Sequence, residues 1–184
     1  KGIKFTNLRG ARGKKMNDFS KQAAVTARQL VRCAVKAVLC TSMSENQFVK
    51  GYPFGSLVTI ATAWDGSPIL LLSSLAQHTK NIVNDEYISL LVDGTDGYHN
   101  PQQGPRVGVI GRLSLTHDEK LGRRFLRRHP QAAMYANFSD FQFFKIQVEK
   151  YHYVGGFAQA LWIGKRNALL PRKDWVNVAK SEEE

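Results

Sequence analysis

Apolar positions recur along this chain with two periods, and the change from one period to the other gives the order of its helices and strands. Near the N-terminus, Ala23, Ala27 and Leu30 have the spacing of a helix with one apolar face, which Asp18 or Ser20 would begin. Beyond that helix, short apolar runs and alternating segments predict strands. The predicted strands cover residues 34–41, 56–63, 68–73, 87–92, 106–115 and 143–154.

The connections between these strands indicate an antiparallel sheet. Residues 64–68 read Trp-Asp-Gly-Ser-Pro and predict a tight hairpin, because Asp-Gly suits turns that need positive φ. Six short strands with helical insertions predict a mainly β fold with flanking helices, a small six-stranded antiparallel barrel. The chain contains neither a GxGxxG nor a GxxxxGK[ST] loop, so nothing in it favours a dinucleotide-binding or P-loop protein.

The last predicted strand, residues 143–154, changes the polarity of its faces after Glu149. Up to Val148 the apolar side chains share one face, whereas Lys150 and His152 fall on that same face further along. Two explanations are open near Lys150: a β-bulge, whose extra residue shifts every later side chain to the opposite face, or an emergence of the strand from the core.

The junction between the predicted strand 68–73 and the next helix gathers polar side chains. Ser74 is predicted as the helix N-cap, with Gln77 completing a capping box. A helix N-terminus offers unpaired N–H groups and a partial positive charge, so it can hold a phosphate. A well-capped helix with a polar outer face is the alternative. The side chains that add donors within two turns are Ser73, His78, Lys80 and Asn81.

The formal net charge of +11 is typical of nucleic-acid-binding proteins, but its distribution argues against that function. Residues 1–15 contain six basic residues and no acidic one, and we interpret them as a basic arm or an upstream extension. A capping box at Thr116 and Glu119 predicts a second helix, and cations near its end favour the helix dipole. The cations at that end are Arg123, Arg124, Arg127 and Arg128.

The remaining composition is that of an ordinary globular chain of 184 residues with 43% hydrophobic residues. We predict a barrel domain over residues 16–170 and a tail over residues 171–184. No apolar run reaches membrane-spanning length and no secretion signal begins the sequence, so we expect a cytoplasmic protein. Cys33 and Cys40 lack the spacing of metal ligands, and no metal site is expected.

Three segments carry a resemblance to a known family. They are residues 53–61 (PFGSLVTIA), 72–82 (LSSLAQHTKNI) and 153–162 (YVGGFAQALW). With these segments the chain resembles the FMN-binding split-barrel superfamily, which includes pyridoxamine 5′-phosphate oxidase. The His-Thr-Lys-Asn and Val-Gly-Gly-Phe forms are most similar to the haem-utilisation (HugZ-type) branch of that superfamily.

The resemblance implies a homodimer with FMN at its interface and an FMN-dependent oxidoreductase activity. In such proteins the second strand faces the flavin ring and the strand–helix junction holds its phosphate. Arg106 stands where the oxidases place a polar residue of the partner subunit, and Trp162 where a tryptophan lies against the flavin. The implied cofactor-binding residues are Thr59, Ala61, Ser73, Ser74, His78, Lys80, Asn81, Arg106 and Trp162. No catalytic residue is assigned.

The chain also departs from the family pattern. The oxidase arginine that binds pyridoxal phosphate corresponds to Ala168, which argues against oxidation of pyridoxamine phosphate. The haem branch has a proximal histidine near the C-terminus, whereas no histidine follows His152 here. If haem is the cofactor, the candidate ligands are His78, His99 and His152. Three functions therefore stay open: an FMN flavoprotein, which leads, a haem-binding or haem-degrading protein, and a non-catalytic regulatory module.

Overall fold

The computed structural model describes residues 18–45, 47–156 and 159–175. The predicted basic arm, residues 1–15, and the end of the predicted tail lie outside these ranges, so the division into arm, barrel and tail stays a prediction. In the part of the chain that is described, no helix is long and apolar enough to cross a membrane.

Eight strands and four helices make up the described structure. The strands are β1 (Lys36–Ser42), β2 (Pro53–Thr59), β3 (Ala61–Thr62), β4 (Pro68–Ser73), β5 (Tyr87–Asp93), β6 (Arg106–Leu115), β7 (Phe141–Val154) and β8 (Ala160–Gly164). The helices are α1 (Asp18–Cys33), α2 (Gln77–Asn84), α3 (Glu119–Arg128) and α4 (Lys165–Ala168), with short 3₁₀ turns at Pro101–Gln103 and Pro130–Met134.

All strands pair antiparallel in one sheet. Seven follow the order β2-β1-β5-β6-β7-β4-β3, and β8 pairs with the C-terminal part of β7. The predicted antiparallel split barrel is confirmed, with more strands than the six expected. Two details account for the difference: the chain leaves β2 at Ile60 to form the separate β3 beside β4, and β8 is too short to be recognised from periodicity.

The helix α1 packs against β3, β6 and β7, and its apolar face closes one side of the core. Ala23, Ala27 and Val31 of α1 are at most 5% exposed and join the main cluster of buried side chains. That cluster includes Leu39, Leu90, Val109, Ile146 and Tyr151. Burying each large aliphatic side chain contributes about 1.5–3 kcal/mol, so this cluster fixes which face of the sheet points inward. A second, smaller cluster lies beneath α3 and includes Ala61, Ile69, Leu121 and Phe125.

A β-bulge interrupts the pairing of β6 with β7. Ile110 pairs with Lys150 and the next residue, Gly111, pairs with Val148, so Glu149 has no partner on β6. The bulge predicted near Lys150 is therefore confirmed. The extra residue reverses the alternation of side chains along the rest of β7.

The bulge decides which aromatic ring of β7 enters the core. Tyr151 is 0% exposed, whereas His152 is half-buried on the face of the sheet that points away from α1, which we call the outer face. Gly111 makes the bulge possible, because a Cβ there would lie 2.4 Å from the carbonyl oxygen of Gln147. Residues with side chains cannot occupy this position without moving the backbone of β7.

Both predicted capping boxes are wrong about the N-cap. The N-cap of α2 is Ala76, which has no side-chain capping bond, because Ser74 still belongs to the β4 end and its N–H donates to the Asp140 carbonyl. The N-cap of α3 is Asp118, whose carboxylate accepts an N–H from the first turn, and Thr116 lies two residues before it. The predicted Asp-Gly hairpin between β3 and β4 is confirmed, with Gly66 at φ 90°.

Candidate functional site

The side chain of Ser73, predicted to bind a cofactor phosphate, is occupied within the protein. Its Oγ donates to Asp140 Oδ2 at 2.6 Å and accepts the backbone N–H of Leu75 at 3.1 Å. These bonds close the turn that separates β4 from α2. They also bring the Asp140 carboxylate to the junction, where its negative charge opposes binding of an anion.

Asn81, a second predicted phosphate ligand, is a buried link between α2 and β1. The residue is 0% exposed. Its Nδ2 donates to Thr41 Oγ1 at 2.9 Å, and its Oδ1 accepts from Gln77 Nε2 at 2.9 Å. A buried amide with both ends bonded positions the helix against the strand and does not reach a ligand.

Three predicted residues at the junction remain accessible. Ser74 and Lys80 are exposed, and His78 is half-buried. Burial lowers the pKa of His78 below its ordinary value, and its Nε2 has no hydrogen-bond partner among the described residues. A neutral imidazole contributes no charge to a phosphate site. Together with the internal bonds of Ser73 and Asn81, this leaves a junction that does not fit a flavin phosphate in the predicted way.

The outer face of the sheet carries a continuous line of register partners from one strand to the next. Each member lies directly opposite the next across the sheet. This line, which we call the outer row, consists of Leu57 (β2), Val38 (β1), Leu91 (β5), Gly108 (β6), His152 (β7) and Trp162 (β8). Directly opposite side chains in a sheet are in contact range, so the outer row forms one surface.

The His152–Trp162 pair is the chemically distinctive part of the outer row. The ring centroids of His152 and Trp162 are 4.6 Å apart at an angle of 43°, and Trp162 is 61% exposed. Gly108 faces His152 from β6 and presents no side chain, so bare backbone borders the imidazole. No hydrogen bond joins the His152 ring to any residue that the structure describes, which leaves its ring nitrogens available.

Cationic side chains flank His152 on the same face. Lys150 lies two positions before it on β7 and is exposed, and Arg106 lies two positions before Gly108 on β6. The Arg106 guanidinium donates to the carbonyls of Gln102 and Gly104 at 3.3 and 3.2 Å. These bonds tether Arg106 to the loop while its side chain stays partly exposed.

The other predicted residues are less well placed. Thr59 is exposed at the end of β2, on the outer face, but Ala61 is 1% exposed in the cluster beneath α3. The resemblance implies that the backbone around Thr59 to Ala61 faces the flavin, and this stays a prediction; the Ala61 side chain itself is buried because the chain has passed from β2 into β3. Among the other histidines, His99 is exposed in a loop, and His129 Nε2 lies 2.7 Å from the Ile60 carbonyl oxygen.

Gly108 was not among the predicted site residues. The alternation along β6 places it on the same face as Arg106, which is the signal that could have identified it. A glycine between larger outward-facing residues marks a place where another molecule can approach the backbone closely.

A curled antiparallel sheet around a helix, with an open row of apolar and imidazole side chains outside, defines a split β-barrel protein. The chain matches the CREG β-barrel family over residues 18–177 and belongs to that family. The resemblance to the split-barrel superfamily noted from the sequence is confirmed.

A curated relative carries the comparison further. The chain is 34% identical over 146 residues to the chloroplastic non-canonical heme oxygenase HOZ of Arabidopsis thaliana. The matched region covers 76% of this chain. It spans only 44% of the length of HOZ. The relative confirms the similarity to haem-utilisation proteins, whereas the cytoplasmic location stays a prediction.

Two solved structures share the fold. The heme-binding protein from Mycobacterium smegmatis is 24% identical with a TM-score of 0.71, over 79% of this chain and 59% of the other. A protein of the pyridoxinephosphate oxidase family from Clostridium acetobutylicum, related to general stress protein 26, is 10% identical with a TM-score of 0.58, over 78% and 95%. At these identities the two structures support the fold alone.

Proposed function

We propose that this chain binds haem on the outer face of its sheet, where His152 would hold the iron. The observation that carries the proposal is the His152 imidazole itself: it lies against the Trp162 ring at a tilt of 43°, borders the bare backbone at Gly108 and makes no hydrogen bond to the described residues. Neutral imidazole is the commonest haem ligand in proteins. The relationship to HOZ supports haem as the group concerned.

The residues around His152 fit the shape and charge of a porphyrin. A porphyrin is flat and apolar at its centre. The neighbours of His152 suit such a group, because Trp162 on β8 offers an indole ring and Gly108 on β6 offers backbone with no side chain. Its propionates need cations, and Arg106 and Lys150 lie on either side of the outer row on the same face.

A second copy of the chain is the proposed cover for the rest of the outer row. Leu57 is 73%, Leu91 42% and Val38 37% exposed, and the three are consecutive register partners. Contiguous exposed apolar side chains mark interaction surfaces. A homodimer through this face would bury them and enclose a ligand beside His152, which excludes water from it.

Haem degradation is the activity that we propose to test. Bound haem would supply an iron centre for reaction with oxygen, as expected of a haem cofactor. The chain's own contribution is to bind the group through His152, to orient it with Arg106 and Lys150, and to exclude water with the apolar side chains of the outer row.

The flavin alternative has weaker support. Its predicted phosphate site at the β4–α2 junction has lost Ser73 and Asn81 to internal hydrogen bonds and includes the Asp140 carboxylate. The arginine that binds the substrate in the oxidases is also missing, because this position is Ala168. The Ala168 side chain is fully buried. FMN therefore serves as the competing ligand in the experiment.

Absorption titrations of the purified chain with haemin and with FMN test the proposal. We expect a saturable Soret band with haemin that His152→Ala weakens about 100-fold and shifts in wavelength. The control is His117→Ala, an exposed loop histidine remote from the outer row in sequence. Saturation with one FMN per chain, without haemin uptake, would contradict the proposal.

The haem-bound protein can then be tested for turnover and assembly. With ascorbate as reductant under air, loss of the Soret band faster than for free haemin would support degradation, and a stable band would limit the function to binding. Light scattering reports the oligomeric state, and Leu57→Glu should convert a dimer to a monomer. A monomer in the unaltered chain would contradict the proposed cover of the outer row.

A further inference from the structure

A cavity of about 260 Å³ lies where the C-terminal ends of α1 and α3 meet β3, and arginines line it. Its lining consists of Arg32 from α1, Arg124, Arg127 and Arg128 from α3, and Ala61 and Thr62 from β3. None of these lining residues is acidic. The helix dipole accounts for basic residues at each helix end, but it does not account for four guanidiniums from two helices around one cavity.

Backbone carbonyls hold two of these guanidiniums in place. Arg124 is 8% exposed and its Nε donates to the carbonyl of Thr62. Arg128 donates through one terminal nitrogen to the carbonyls of Cys33 and Ala34. These bonds fix the side chains before any ligand arrives, which reduces the conformational entropy that a ligand must overcome.

Arg127 and its neighbour Arg123 differ in their surroundings. Arg127 is exposed at the rim of the cavity, and no carboxylate of a described residue forms an ion pair with it. Arg123, four residues earlier on α3, pairs with Glu119 at 3.1 Å and does not line the cavity. The two side chains provide a matched pair with the same charge on the same helix.

We propose that the arginine cavity binds a phosphate group. The planar fork of arginine matches phosphate oxygens with two parallel hydrogen bonds, and several arginines around one cavity exceed what a single carboxylate needs. The volume corresponds to about nine water molecules at ~30 Å³ each, which suits a small molecule. This site is separate from the outer row, and the proposal does not depend on haem.

An adjoining apolar cavity offers room for the body of a phosphate ester. It shares Arg127 with the arginine cavity, its apolar lining comes from Trp64, Leu126, Pro130 and Ala133, and Lys120 and Arg123 complete it. The Arg124 guanidinium lies 5.5 Å from the centroid of the Trp64 ring and so connects the two cavities. A phosphate group in the first cavity could therefore carry a flat organic group in the second.

Calorimetric titration of the full chain with inorganic phosphate and with phenyl phosphate tests this proposal. We expect saturable binding that Arg127→Gln weakens roughly tenfold, as for loss of one charge-assisted contact. Arg123→Gln removes the same charge from a residue that lines only the adjoining cavity, so it should leave the affinity for inorganic phosphate within about twofold. The intrinsic fluorescence of Trp64, whose ring lines the adjoining cavity and faces the Arg124 guanidinium, gives a second readout, with Trp64→Phe to assign the signal.

The outcomes separate the possible sources of the phosphate. Tighter binding of phenyl phosphate than of inorganic phosphate assigns the site to an organic ester, and equal affinities assign it to free phosphate. The titrations are repeated on a chain ending at Ser181, so that the carboxylates of Glu182–Glu184 cannot compete. The proposal would be overturned if both arginine substitutions weakened the binding of inorganic phosphate equally. It would also be overturned if neither probe bound to the full chain or to the shortened chain.

Discussion

The β4–α2 junction and the outer row each contain a histidine two positions from a lysine, and the structure gives their polar side chains different roles. The pairs are His78 with Lys80 at the junction, and His152 of the outer row with Lys150 beside it on β7. At the junction, Ser73 donates a hydrogen bond to Asp140 and Asn81 donates one to Thr41. In the outer row, the imidazole of His152 is left open. A side chain that can bind a ligand does so only if the fold has not already given it a partner.

The largest effect should come from the bulge that creates this contrast. In Gly111→Ala the new Cβ would meet the Gln147 carbonyl at 2.4 Å, so the backbone must move. We expect a loss of about 2–3 kcal/mol in the free energy of unfolding, measured with urea. The control is Gly164→Ala, where no atom lies within 4 Å and the change should stay within about 0.5 kcal/mol. Equal effects would contradict the crowding at the bulge.

Asn81→Ala tests whether the junction is structural. The substitution leaves the Thr41 hydroxyl and the Gln77 amide without their partner, which should cost about 2 kcal/mol of stability. Haemin affinity should not change at a temperature where the variant is folded. Asn84→Ala, exposed on the same helix, should cost about 0.5 kcal/mol or less. A variant of full stability that fails to bind cofactor would return Asn81 to the binding site.

Gly108→Val tests whether the outer row receives a ligand. A Cβ at Gly108 lies 3.8 Å from His152 Cβ, an ordinary contact, so the fold should accept the side chain. The added methyl groups would occupy the surface beside the imidazole, and we expect haemin affinity to fall about tenfold with unfolding in urea little changed. Unchanged haemin affinity would place the ligand elsewhere.

Ser73→Ala should have a smaller effect on stability. It removes the 2.6 Å hydrogen bond to Asp140 and the turn bond from Leu75, and we expect a loss of about 1–2 kcal/mol. Ser74→Ala, exposed at the adjacent position, provides the matched control. Equal stability of the two variants would show that the turn does not depend on the Ser73 hydroxyl.

The smallest predicted effect concerns pH. Burial lowers the pKa of His78 in the folded chain, so the unfolded chain takes up the proton first as the pH falls. Stability should therefore decrease as the pH drops below the ordinary histidine pKa, and His78→Gln should reduce that slope in unfolding curves measured from pH 7 to pH 5. Ser74→Ala, which removes no titratable group from the same junction, should leave the slope unchanged, and an equal change in both variants would contradict the assignment.

Local sequence predicted the barrel and the bulge, because both follow from alternation along single strands. The internal hydrogen bonds at the junction were not predicted because the partners lie far away in the chain: Asp140 is 67 residues from Ser73, and Thr41 is 40 residues from Asn81. The His152–Trp162 contact was equally hidden, since it requires the pairing of β7 with β8. Long-range pairing decides which polar side chains are used internally, and a one-dimensional pattern does not contain it.

The unpaired Glu149 shifts the alternation of inward and outward side chains along β7 by one residue. Upstream of it, even-numbered residues point inward; downstream, odd-numbered residues do. If β7 paired without the bulge, with Glu149 counted as a regular residue, every later side chain in the strand would exchange faces, turning Tyr151 outward and His152 into the barrel. The chemical identity of an entire surface is thus encoded in whether one residue is counted.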